Sequence, residues 1–166
     1  IASLDIMKQR VTRRADIDNW ISKYDGSELR AGEYRCPAPR IPPMSKLNDE
    51  IDRVSNNMKV WQDCYNRFVT HLNDVSPLSK LIPADVAKLM NTQEVEQARA
   101  HLAQVHDNVS EGAKVSAKLV LADFAAWRDA TETYVSQHNE LVKGAPSEDR
   151  QRDIEARKNN YAPTGK

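Results

Sequence analysis

The sequence predicts an all-α fold, an elongated antiparallel helical hairpin or three-helix bundle with coiled-coil-like packing, plus an extended proline-rich segment. Three observations predict it. Apolar residues recur at alternating gaps of four and three through Leu47, Ile51, Val54, Met58, Trp61, Tyr65, Phe68 and Leu72, with Met44 just ahead. That spacing lays one seam down one side of a long helix. A second series runs Val95, Ala98, Leu102, Val105 and Val109, then Ala113, Ala117, Val120, Phe124, Trp127, Thr131, Tyr134, His138 and Leu141. Finally, only 5 Gly occur in 166 residues, so residues of poor helix propensity are few. Seams of this length need a partner, because an isolated helix cannot hide them from water.

The elements follow in order. Leu4, Met7, Val11, Ile17, Trp20, Ile21 and Tyr24 form an approximate stripe, which predicts a helix over about 4–24. Asp25-Gly26-Ser27 stops it, since Gly accepts positive φ and Asp can bond its own backbone. Residues 32–43 hold Pro37, Pro39, Pro42 and Pro43 and must be extended, because proline fixes φ and removes a donor. Ser45 is the candidate N-cap of a helix over about 45–73, with Asp49 and Glu50 favourable in its first turn. Ser76-Pro77 and Ile82-Pro83 bracket a connector with one short turn carrying Leu78 and Leu81. Pro83 starts a short helix over about 84–91, and Thr92 can cap a last helix over about 94–143. The step from Val109 to Ala113 is four where three was due, a stutter beside Gly112. One long helix bent there competes with a break into two. Lys143-Gly144-Ala145-Pro146 ends the helix. Residues 1–143 thus read as a single helical domain, and 144–166 as a charged, flexible tail.

Charge excludes some classes of function. Lys and Arg total 24 and so do Asp and Glu. A balance of this kind, with no basic stripe, argues against a nucleic-acid binder, although Arg10, Arg13 and Arg14 stand close together. No stretch is long and apolar enough for a bilayer span; the longest soft run, Val115 to Ala126, carries Lys118 and Asp123. The chain begins Ile1-Ala2-Ser3 without Met, which fits a removed signal peptide, a processed leader or a start trimmed from a longer chain.

Catalytic candidates are scarce. Four histidines, His71, His101, His106 and His138, lack metal-ligand spacing, and no Gly-rich phosphate loop is present. A catalytic thiol would need an activating base, and none accompanies either cysteine. The expectation is therefore a non-enzyme with no cofactor, no catalytic residue and no metal ligand.

Cys36 and Cys64 are the two cysteines. Cys64 lies 17 residues past Leu47, roughly 26 Å along a helix, and the stretch from Cys36 to Leu47 reaches at most about 36–40 Å. A disulfide is thus within reach if the extended segment folds back along the helix. Such a bond implies an oxidising compartment, so the expected location is periplasmic or secreted, with cytoplasmic as the alternative. The expected function is a non-enzymatic helical protein–protein interaction or assembly factor. Its partner would be another protein or a second copy, meeting Trp20, Tyr34, Trp127, Tyr134 and Leu141 as the candidate interaction surface. The alternative is a small-ligand- or metal-binding helical bundle, for which the seams offer mainly Thr131 and His138 as inward polar groups.

Overall fold

A computed structural model describes residues 3–143, with side chains through residue 139. The expected tail, 144–166, lies outside the described residues, as does the side chain of Leu141. Among the described residues there are helices and turns and no strand. The α-helices are α1 (Leu4–Thr12), α2 (Arg14–Asp18), α3 (Asn48–Asp74), α4 (Ala84–Ala87) and α5 (Thr92–Lys143).

The expected first helix is three pieces. Ser3 caps α1 by accepting from the Ile6 N–H at 3.2 Å. At Arg13 the backbone leaves helical geometry, with φ −101° and ψ 16°. After α2 the chain widens into a π-helical turn, Asn19–Lys23. Gly26 then reverses it at φ +75°, and two 3₁₀ turns follow, Ser27–Arg30 and Gly32–Tyr34. The predicted stripe of α1 is not buried: Leu4, Met7 and Val11 are 74%, 53% and 79% exposed. No residue of α1 reaches the core, which begins at Ile17.

Both long helices form where the seams predict, with corrected starts. In α3 the seam is buried from Ile51 through Val54, Met58, Trp61, Phe68 and Leu72, whereas Leu47 is 65% exposed. Leu47 flanks the helix instead, its carbonyl accepting the first intrahelical bond from Ile51 at 3.0 Å. Ser45 is not the cap; it is fully buried and engaged elsewhere. The predicted helix 84–91 shrinks to the single turn of α4. Helix α5 runs unbroken for 52 residues through Gly112, which resolves the stutter in favour of one helix. Its cap is Asn91 rather than Thr92. Asn91 Oδ1 accepts from the Glu94 N–H at 2.8 Å, and Glu94 Oε1 accepts from the Asn91 N–H at 2.9 Å. That reciprocal pair is a capping box.

The chain folds as two compact units, and α3 and α5 each contribute to both. The first comprises residues up to Cys36 together with Cys64–Lys114. One of its cores gathers Leu29, Phe68, Leu72, Leu78, Leu102 and Val105. Another gathers Ile17, Val86, Leu89, Met90 and Ala98. The second unit comprises Pro37–Asp63 and the chain from Val115 onward. There Ile51, Val54 and Trp127 pack together, with Ile41 and Phe124 against them.

Candidate functional site

The disulfide is present. Cys36 and Cys64 are joined, their Cα atoms 5.7 Å apart and 28 residues apart in sequence. Two residues before Cys36, Tyr34 stacks on His71 with ring centroids 4.0 Å apart and planes within 3°. The bond and the stack lie seven residues apart on α3, two turns on the same face. Tyr34 and Cys36 are therefore held to α3 at two points.

The other predicted surface residues divide between the units. Trp20 is half-buried in the first unit, stacked on Tyr24 at 5.0 Å and packed against both cores. It is a partly exposed packing residue. In the second unit Trp127 is 1% exposed, so its ring has no face to offer a partner. Its indole N–H donates to Ser45 Oγ at 2.8 Å, and the Ser45 N–H donates to Thr131 Oγ1 at 3.1 Å. Sequence reading placed Thr131 inward correctly but missed Ser45, whose hydroxyl satisfies a buried indole that would otherwise lose its hydrogen bond. Tyr134 is half-buried, stacks on His138 at 5.8 Å and lies under the Lys46 ammonium at 5.5 Å.

The basic cluster of the N-terminal segment is matched internally. Glu94, 6% exposed, is bound by Arg10 through both Nη atoms at 2.9 and 3.1 Å and by Arg14 at 2.7 Å. Arg10 also donates to the Leu89 carbonyl. Arg13 pairs with Asp16 at 2.6 Å and with Asp85 at 2.8 Å. The Arg10 hydrogen bond is the main cause that holds the Glu94 carboxyl down at about 2, against the desolvation that opposes it. Sequence spacing could not reveal this site, because its members lie about 80 positions apart.

A cavity of about 420 Å³ opens in the first unit between Ser76–Ser79 and one side of α5. Leu78, Leu102 and Ala103 supply apolar wall, and Arg99, His106 and Asp107 supply charge and polarity. His106 Nε2 is buried there without a hydrogen-bond partner. Among the described residues, no group of three or more His, Cys, Asp or Glu side chains could hold a metal ion, and no helix is long and apolar enough to cross a membrane.

Apart from Val60 on α3 and Leu47 just ahead of it, the large exposed apolar side chains of the described residues lie on two helices. On α1 they are Leu4, Met7 and Val11, at i, i+3 and i+7 on one face, with Ile6 40% exposed beside them. On α5 they are Val115, Leu119 and Leu121, 55%, 63% and 49% exposed. Comparisons of the chain with protein families, with curated proteins and with solved structures return no match.

Proposed function

We propose that this chain is a non-enzymatic helical interaction module working in an oxidising compartment, periplasmic or secreted, where it presents helix faces to another protein. The observation that carries this is the α1 face. A nine-residue amphipathic helix is fixed to the first unit through Arg10 and Glu94 while Leu4, Met7 and Val11 stay in water. Apolar side chains held at helical spacing on a rigid support are what a partner groove or a partner helix recognises. The disulfide supports the choice of compartment, since such bonds persist where thiols are oxidised. The burial of every third or fourth residue along α3 and α5 supports coiled-coil-like pairing as the supporting architecture.

A photoreactive side chain at Val11, compared with one at the exposed Lys59, tests the reading in the native source. The expected result is a discrete protein adduct from Val11 that the Met7→Lys variant abolishes, with none from Lys59. Identical adduct patterns from the two positions would contradict it.

A second reading, a small-ligand-binding bundle, draws on the cavity beside His106. Its apolar wall and the nearby Arg99 suit a small amphiphilic carboxylate. Thermal shifts across a panel of fatty and aromatic acids check it. A dose-dependent rise in Tm that Arg99→Ala removes would favour it, and a flat panel would count against it.

A further inference from the structure

Helix α5 carries two apolar faces over the same three turns. Ala117, Val120 and Trp127 are buried in the second unit, 7%, 5% and 1% exposed. Val115 and Leu119 are more than half exposed, and Ala122 and Ala126 are exposed as well. Positions 115, 119, 122 and 126 step by four, three and four, the alternation of a and d positions in a heptad. At 3.6 residues per turn they fall within about 60° of arc, centred roughly 150° round the helix from the buried set. A helix that only closed its own unit would need the buried face alone, with polar residues opposite.

We propose that this outer face pairs with the same face of a second copy, the two α5 helices lying parallel and in register about a two-fold axis. The proposal names the partner class of the interaction reading above and rests on that reading. Two charges select both partner and direction. With Leu119 at a, Lys118 occupies g and Asp123 occupies e of the same seam, and both are exposed. In a parallel pair each g side chain lies beside the e side chain five positions further along the other helix. Lys118 of each copy therefore meets Asp123 of the other, twice by symmetry. An antiparallel pair would instead set g beside g and e beside e, so Lys118 would have no Asp123 to meet. The next g and e positions, Ala125 and Ala130, carry no charge to oppose the arrangement. Asp129 at the following d position ends the seam, as Gly112 at the preceding a position does on the other side. A three-turn seam with two large side chains falls below the area of standard interfaces, about 1,200–2,000 Å² in total. The dimer is accordingly weak and concentration-dependent.

Sedimentation equilibrium of the oxidised chain over a wide concentration range is the test. The expected result is a monomer of 18.8 kDa passing to twice that mass, with the dissociation constant raised at least about tenfold by Leu119→Lys. Val60→Lys, an equally exposed apolar site elsewhere in the same unit, should leave association unchanged. Lys118→Asp and Asp123→Lys should each weaken the dimer several-fold, and the double variant should restore it. A Leu119→Cys variant should oxidise to a 119–119 cross-linked dimer, since facing a positions in parallel register bring Cα atoms within disulfide reach. All these positions are exposed, and an unchanged helical circular dichroism melt shows that each variant is folded. A monomer at every concentration, equal weakening by Val60→Lys, or a double charge variant no better than the singles would overturn the proposal. None of these results bears on adducts formed at Val11, so the self-pairing can fail while the wider interaction reading stands.

Discussion

Two residues show how much of this fold is set by single positions. Gly26 sits at φ +75°, and a Cβ there would lie 2.9 Å from Val105 Cγ1 and 3.2 Å from Val109 Cγ2. Gly26→Ala combines a left-handed backbone with a close approach to the core and should destabilise the chain by about 2–3 kcal/mol; a urea melt measures it. Glu94 is the other. Its folded-state pKa of about 2 lies below the ordinary 4.5, so its stabilisation is fully present above pH 4.5 and is lost as pH falls from there through about 2. The shift corresponds to on the order of 3 kcal/mol at neutral pH. Melts between pH 5 and pH 2 should show the loss, and Glu94→Gln should flatten that part of the profile. The turn at Gly26 was legible in Asp25-Gly26-Ser27, because turn chemistry is local. The role of Glu94 was not, because its partners Arg10 and Arg14 come from a distant segment that periodicity cannot align with it.

At the scale of elements, the heptad spacing located α3 and α5 and named most of their buried residues, since the interior of a long amphipathic helix is a periodic signal. It misjudged the ends. Ser45 has the chemistry of an N-cap, yet its hydroxyl serves Trp127 and its N–H serves Thr131. Ser45→Ala should therefore cost about 1–2 kcal/mol by leaving a buried indole N–H unpaired. A red or blue shift of tryptophan emission in the folded state, absent in a Trp127→Phe background, would report the changed environment. The α1 stripe misled for a different reason: Leu4, Met7 and Val11 have helical spacing but no core residue beside them. Periodicity shows that a face is apolar and does not show what covers it. The same limit concealed the outer face of α5, since the run from Val115 to Ala126 was visible only as an apolar stretch. The proline-rich segment is held by the Cys36–Cys64 bond, whose loop of about 29 residues corresponds to about 3.5 kcal/mol by the chain-entropy relation. Replacing both cysteines by serine should lower stability by about that amount in a denaturant melt while leaving helix content intact.

For the whole molecule, an all-helical architecture with one disulfide is common ground between the sequence and the structure. Composition indicated the fold class because good helix formers dominate and breakers are few. Function was less legible, because an interaction surface is defined by what remains uncovered after folding. The unsatisfied apolar faces on α1 and α5 emerge only once burial is known. Arg10, Arg13 and Arg14, which stand close together in sequence, prove to hold carboxylates of their own chain.

An interaction module of the kind proposed has its cysteines bridged where it works and is bound there to another protein. Native mass spectrometry of the protein isolated from its source under thiol-blocking conditions tests both halves in one spectrum. The expected spectrum shows a chain with Cys36 and Cys64 unalkylated, carried in a complex with additional protein mass. A chain alkylated at both cysteines and present only at its own mass would contradict it.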